Sequence, residues 1–279
     1  MKILVVGKNS FVAQYFIKAC KENGIRYQAC SHMDIPQKLN NFNWIVNFTI
    51  NPKFYTEKYS ESIDQDALIA KKISYCDNLK YAMISSRMVY GYNKLLVPAL
   101  ESDEVKHCNN SIYGRNKIFS EQYCRSILGS NNLLIVRGSN IFGYELGRKS
   151  FTGTALKRLS NQTEILLDIS KKTVRDFIPV NDFATYLIQL ISKECIGTFN
   201  VSSGIGITLE EFCNSILKGY GKGTIVSSGS VVVDDQFVLN NGKLLNIAEH
   251  QINKSDIMEY AINVGKLLKI EAKERSIND

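Results

Sequence analysis

The sequence has no CxxC pair, no cluster of histidines, no long apolar run, no block of like charge and no internal repeat. Each absence excludes something. His32, His107 and His250 stand far apart without ligand spacing, so no metal site is expected. Seven cysteines (Cys20, Cys30, Cys76, Cys108, Cys124, Cys195 and Cys213) are scattered and odd in number. That pattern fits reduced thiols in a cytoplasmic protein better than a disulfide framework. No stretch of about 18 apolar residues exists, and one lysine precedes a strand-length apolar start. Neither a membrane span nor a signal peptide is therefore expected. The formal charge of +7 is spread along the chain, which suits an acidic small ligand and argues against nucleic acid.

What is present alternates between two periods. Lys2–Val6 is a short apolar run of strand type, followed by Gly7-Lys8-Asn9-Ser10-Phe11-Val12-Ala13. Val12, Phe16, Ile17 and Cys20 then fall on one helical face. A strand, a glycine turn and a helix N-terminus make an anion cradle, because the first-turn amides lack partners and the helix dipole favours negative charge. Only Gly7 remains of three small positions usual in such a turn. Ser10 stands where a pyrophosphate needs close backbone approach, and Ala13 where the helix packs on the strand. A second strand, Arg26–Cys30, leads into Ser31-His32-Met33-Asp34. A carboxylate at that tip would hold a ribose 2′-hydroxyl. Ser31 and His32 occupy the tip, with Lys8 in the first turn, so the reading leans to NADPH. NAD or NADH stays possible, since Asp34 could fold back. Trp44–Phe48, a helix near 64–76, the strand Tyr81–Ser86, a helix carrying Tyr113 and the strand Leu133–Arg137 follow. This order predicts an α/β fold with a doubly wound parallel sheet. At 279 residues and 44% hydrophobic content, one large or two unequal domains can be buried.

The stretch with most chemistry runs from Ser85 to Lys117. Tyr113 and Lys117 are four apart on a helical pattern, which places their Cβ atoms roughly 5–6 Å apart. Two charges about 4 Å apart at an effective dielectric near 20 interact by ~4 kcal/mol, enough to bring a phenol from ~10 towards ~7. Such a phenol can exchange a proton at neutral pH. Ser86 adds a hydroxyl at a strand end above the sheet.

These residues, taken with later ones, resemble a known family. The later pieces are Arg137-Gly138-Ser139-Asn140-Ile141-Phe142-Gly143, Arg175-Asp176-Phe177-Ile178-Pro179-Val180-Asn181-Asp182, Gly197-Thr198-Phe199-Asn200-Val201 and Leu239-Asn240-Asn241-Gly242-Lys243-Leu244. In order and spacing over residues 1–245, the chain resembles an extended short-chain dehydrogenase/reductase of the nucleotide-sugar epimerase/dehydratase group. The resemblance implies a Rossmann domain and a nucleotide-sugar substrate. It implies Tyr113 as acid–base residue, Lys117 lowering its pKa and holding the nicotinamide ribose, and Ser86 bonding the reacting oxygen. Gly7, Ser10 and Phe11 match the pyrophosphate turn; Asn140 and Arg175 match positions near the substrate diphosphate, where an arginine fork suits phosphate. A surface ion pair with Asp176 is the plainer use of Arg175. Asp182 reads as a cap for the helix Phe183–Ile191, and Glu121 as structural. A homodimer is implied by analogy.

Departures narrow the reaction. Dehydratases of this group carry Asp-Glu directly after the serine or threonine. Here Arg87 and Met88 follow Ser86, and neither serves as carboxylate acid or base. The tip at Ser31 and His32 and the modest length point to reduction of a nucleoside-diphosphate 4-keto-6-deoxy sugar, for example dTDP-4-dehydro-6-deoxyglucose. Such a step feeds bacterial surface polysaccharide synthesis (lipopolysaccharide O-antigen). A nucleotide-sugar 4-epimerase is the alternative, and a non-catalytic dinucleotide-binding sensor or scaffold the alternative of another class. Residues 1–143 would form the dinucleotide domain, with returning segments near 175–200 and 232–247. Residues 144–174, 201–231 and 248–279 would form the substrate cap and a C-terminal helix. Within the cap, helices are expected over Thr152–Leu159, Thr208–Leu217 with Thr208 as cap, and Ser255–Leu268. The stretch from Gly219 to Gly229 reads as loop, and the residues after Glu271 as frayed.

Overall fold

A computed structural model describes residues 1–76, 78–92, 96–105, 107, 110–227 and 235–278, the last three by backbone alone. Cys108 and part of the 219–229 stretch lie outside the described residues, as do 232–234 of the expected returning segment. The first half is built of β1 (Lys2–Val6), α1 (Phe11–Glu22), β2 (Arg26–Cys30), β3 (Trp44–Asn47), α2 (Gln65–Ile73), β4 (Lys80–Ser86) and α3 (Ile112–Leu128). The second half continues with β5 (Leu133–Gly138), β6 (Asn140–Phe142), α4 (Phe151–Gln162), β7 (Glu164–Leu167), β8 (Val174–Pro179) and α5 (Val180–Ser192). It closes with β9 (Gly197–Val201), β10 (Gly206–Thr208), α6 (Leu209–Tyr220), β11 (Thr224–Ser227), α7 (Gly242–Leu245) and α8 (Lys254–Asn278).

Six strands form one parallel sheet in the order β2-β1-β3-β4-β5-β9. Helices cover both faces, so alternate side chains of each strand enter two different cores. Ile3, Val5, Ala82, Leu134 and Val136 join α1 and α5 on one side. Leu4, Val6, Tyr81, Met83, Leu133 and Ile135 join α2 and Cys124 of α3 on the other. The doubly wound Rossmann-type sheet expected from the alternating periods is therefore what forms. Its strand order reverses at β1, which pairs with β2 on one side and β3 on the other. In such sheets ligands bind in the crevice at the strand carboxyl ends where the order reverses.

Two further sheets are small, β10-β8-β6 and β11-β7, the second packed on α4 and α6. Phe142 of β6 and Phe177 of β8 pack with Phe151 of α4, Phe212 of α6 and Tyr260 of α8; the Phe177 and Phe212 rings stack at 3.8 Å between centroids. Asp176 is fully buried and accepts hydrogen bonds from the Ser203 amide and hydroxyl and from the Gly204 and Leu239 amides. One carboxylate thereby ties β8 to two returning segments.

Three expectations and one alternative reading need correction. The loop expected from Gly219 contains β11, because Thr224–Ser227 pairs with β7 in parallel register despite its glycine- and serine-rich surroundings. Asp182 is not a cap: α5 starts at Val180 behind Pro179, and Asp182 lies in its first turn beside His250 at 3.3 Å. Arg175 does not pair with Asp176, which is enclosed by its own hydrogen bonds; it faces Asp235 instead, 3.1 Å away. The tail after Glu271 continues α8 to Asn278. Thr208 caps α6 as expected, in a full capping box with Glu211.

Candidate active site

The carboxyl ends of β1, β3, β4 and β5 open into a cleft of about 230 Å³. Ser10, Ser86, Tyr113, Lys117 and Asn140 all line it. Each arrives there for a local reason. Gly7 turns the chain out of β1 at φ +92°, and a Cβ there would lie 2.6 Å from Thr49 Cγ2. Its amide and that of Lys8 both donate to the Cys30 carbonyl, at 2.9 and 3.1 Å, which fixes the turn against β2. Ser10 is the N-cap of α1 but makes no side-chain cap bond, and the first turn holds no acidic residue. An uncapped helix start facing a cleft is the cradle a pyrophosphate needs, so the residues present fit a dinucleotide.

Ser86 ends β4, and its Oγ accepts the Met88 amide at 3.2 Å, capping a single 3₁₀ turn over Arg87–Tyr90. Beneath it, Ser85 donates to Glu121 at 2.6 Å, and Arg137 grips the same carboxylate at 2.8 and 3.1 Å. Burial opposes the charge on Glu121, but Arg137 and Ser85 outweigh it and hold the pKa below the ordinary range. Glu121 is thus structural, as expected. Ser111 caps α3 through the Gly114 amide at 3.0 Å, so Tyr113 emerges within the first turn. The Tyr113 ring stacks on Tyr55 with centroids 4.8 Å apart. Lys117, one turn on, is 4% exposed; its Nζ donates to Asp66 at 3.0 Å and to the Ile84 carbonyl at 2.9 Å.

The remaining sequence candidates lie elsewhere. Phe11 packs edge-on against Tyr15, and the Arg148 guanidinium lies 5.0 Å from its ring. At the β2 tip, Ser31 donates to Asp34 at 2.6 Å. The carboxylate has folded back to the position that Ser31 and His32 were expected to leave neutral. The lean to NADPH loses its support there, since a 2′-phosphate would meet that anion. His32 lines a separate hollow of about 250 Å³ with Thr49, Ile50, Asn51, Pro52 and Gln65. Arg175 does not line the main cleft. With Arg87 it brackets Asp235, which Arg87 holds at 2.8 and 3.0 Å, and both guanidiniums lie over Phe237. Burial and the neighbouring Arg87 bring the Arg175 pKa down to about 10, so it stays charged at neutral pH.

Sequence reasoning missed Tyr55, Asp66 and Arg148. Asp66 is 51 residues from Lys117 in the chain, so no local spacing reveals the pair. Tyr55 belongs to a 3₁₀ turn begun by Pro52, where periodicity is silent. Arg148 has only a cation's character as signal, and it lines the cleft with Glu145 3.3 Å away.

Sheet order and helix placement define a Rossmann-type α/β fold. Within that class, the model of the NAD dependent epimerase/dehydratase family matches residues 68–202. That segment carries Ser86, Tyr113, Lys117, Asn140 and Arg175, and the resemblance seen in the motifs is to this family. Among solved structures, an NAD dependent-NDP-hexosamine 5,6-dehydratase, TunA, involved in tunicamycin biosynthesis, has a TM-score of 0.79 at 14% identity, covering 95% of this chain and 98% of that one. The UDP-N-acetylglucosamine 4-epimerase from Methanobrevibacter ruminantium M1, in complex with UDP-N-acetylmuramic acid, gives 0.79 at 17%, covering 97% and 98%. A UDP-glucuronic acid 4-epimerase from Bacillus cereus, in complex with UDP-glucuronic acid and NAD, gives 0.77 at 16%, covering 96% and 100%. At these identities the likeness is one of fold. No helix among the described residues is long and apolar enough to cross a membrane.

Proposed function

We propose that the chain is an NAD-dependent enzyme that oxidises and reduces C4 of a nucleoside-diphosphate sugar, with 4-epimerisation as its net reaction. The observation that carries this is the meeting of Ser86, Tyr113 and Lys117 around one cleft, beside an uncapped helix start. A bound nicotinamide would supply hydride transfer. The chain's residues do the rest. Gly7 shapes the turn, and Ser10 and the first amides of α1 bind the pyrophosphate. Tyr113 holds or delivers the proton at O4, and Ser86 hydrogen-bonds the same oxygen as charge develops. Lys117 supplies positive charge beside the phenol. The two small sheets and α4 form the substrate cap, in which Asn140 and Arg148 face the acidic ligand.

The sequence alone favoured net reduction of a 4-keto-6-deoxy sugar, on two grounds. The tip suited to NADPH now carries the Asp34 carboxylate. The modest length is no obstacle, since the chain covers 98% of a solved 4-epimerase. Dehydration stays disfavoured because Arg87 and Met88 replace the acidic pair, and Arg87 is engaged by Asp235. One feature supports NADPH-dependent reduction as a second reading: Lys8 is exposed in the turn that bonds the β2 tip, within reach of a 2′-phosphate. A role in bacterial surface polysaccharide synthesis and a homodimer belong to the same proposal.

The test is to purify the protein, identify any nicotinamide carried along, and incubate it with UDP- and dTDP-hexoses while following C4 configuration by NMR. Interconversion of C4 epimers without net NADH change, abolished in Tyr113→Phe, supports epimerisation. Steady NADPH consumption with dTDP-4-dehydro-6-deoxyglucose supports reduction instead. Tight cofactor binding with no turnover of any sugar would leave a sensor or scaffold.

A further inference from the structure

Lys117 is not a free ammonium. Its side chain is enclosed, and two of its three hydrogens are spoken for by Asp66 and the Ile84 carbonyl, leaving one for the cleft. Asp66 is itself held rigidly. Its Oδ2 takes Lys117, while Oδ1 accepts the Tyr81 hydroxyl at 2.6 Å and the Asn47 amide at 2.8 Å. The Asp66 backbone amide donates to Asp64 at the start of α2, at 3.0 Å. With 3% exposure, this carboxylate is a buried charge whose position is set from β3, β4, α2 and α3 at once.

We infer that Asp66 is the positioning residue of the acid–base site, fixing Lys117 and setting the net charge that Tyr113 experiences. The inference rests on the proton role proposed for Tyr113 and extends it to a group outside the Ser86, Tyr113 and Lys117 set. Two effects follow from the geometry. First, burial by itself would strip Lys117 of its proton, and a neutral amine cannot make a phenol more acidic. The Asp66 carboxylate reverses that tendency and drives the Lys117 pKa above the ordinary lysine range. Second, the same anion offsets part of the ammonium's field in the cleft beside Tyr113.

Other groups face this pair. Asp64 comes from α2, Tyr81 from β4, Tyr113 and Cys124 from α3, and Phe54, Tyr55 and Tyr59 from the turns before α2. Of these, Asp64 adds to the negative side. Burial first, then Asp66, raise its pKa, and Tyr59 donates to it at 3.1 Å. The phenols of Tyr55, Tyr59 and Tyr81 are pushed upward, chiefly by burial, and stay neutral, so they do not titrate across the working range. Cys124, also raised by burial, stays a thiol.

Asp66→Asn keeps the shape and removes the charge. Lys117 protonation is read by NMR of ¹³C-labelled lysine, assigned with Lys117→Met. Tyr113 ionisation is read from tyrosinate absorbance, as the difference from Tyr113→Phe. In the unaltered protein Lys117 should stay protonated to about pH 10 or beyond. In Asp66→Asn its deprotonation should move down by at least ~1 pH unit, and Tyr113 should ionise earlier while Lys117 remains charged. Where turnover is found, the rising limb of kcat/KM against pH should shift to lower pH and a new falling limb appear, with the cofactor KM unchanged. Identical titrations of Lys117 and Tyr113 in both proteins would overturn the inference. If the variant does not fold, the unaltered protein still decides, because a neutral Lys117 below pH 9 (about 1.5 units under its ordinary value) overturns it too. The titrations need no substrate. Failure of every sugar to turn over would therefore count against the proposed reaction and leave this result standing.

Discussion

At the scale of single residues, the site depends on where a few polar atoms point. Tyr113→Phe removes one oxygen and should lower kcat by about 10²–10⁴-fold, leaving NAD affinity intact by calorimetry. Under the proposed function, the Asp34 carboxylate at the β2 tip accepts from a ribose hydroxyl of NAD. Asp34→Ser should weaken NAD binding by roughly tenfold, in line with ~1.5 kcal/mol for a hydrogen bond to a charged group, and narrow the preference over NADP. An unchanged NAD affinity would remove Asp34 from the cofactor site. Ser86, Tyr113 and Lys117 were legible because residue type and i,i+4 spacing are local properties. Asp66 and Tyr55 were not, because a contact across 51 residues, or across a 3₁₀ turn, leaves no periodic trace.

Elements hold these residues through buried networks. Glu121 ties α3 to β4 and β5 through Ser85 and Arg137. Removing the charge leaves Arg137 buried and unpaired, so Glu121→Gln should cost about 3–5 kcal/mol at neutral pH. The Glu121 pKa is lowered in the folded state, so its contribution is present above the unfolded value near 4.5. It is lost as pH falls through the folded value. Denaturant melts of the two proteins should therefore converge in acid; a gap that persists there would show that packing, not charge, is at issue. Helices α6 and α8 cross through two glycines. A Cβ on Gly219 would fall 1.9 Å from the Ile262 carbonyl oxygen, and one on Gly265 would fall 2.1 Å from that of Ile216. Gly219→Ala should force the helices apart at a cost of at least about 1–3 kcal/mol, visible as a lower midpoint. The helix pattern of Ser255–Leu268 was readable from its apolar spacing. The reason for these glycines was not, since only the crossing makes them necessary.

For the whole molecule, binding and folding are linked. A ligand at 100 times its Kd stabilises the folded state by ~2.7 kcal/mol. Saturating NAD should raise Tm by roughly 5 °C for a chain of this size, with a further rise on adding a nucleoside diphosphate. No shift with either would argue against the dinucleotide cradle at Ser10. The sequence by itself determined the parallel sheet, because strands buried on both faces must read as short continuous apolar runs such as Leu4–Val6 and Leu133–Val136. It also determined the order of the elements and the chemistry available at Ser86, Tyr113 and Lys117. The tertiary structure alone decided that Thr224–Ser227 is a strand, that Asp34 returns to the β2 tip, that Arg175 faces Asp235, and that Lys117 is bound to Asp66. Periodicity records which face a residue turns to the core. Which distant charge it meets there is settled only when the chain closes on itself.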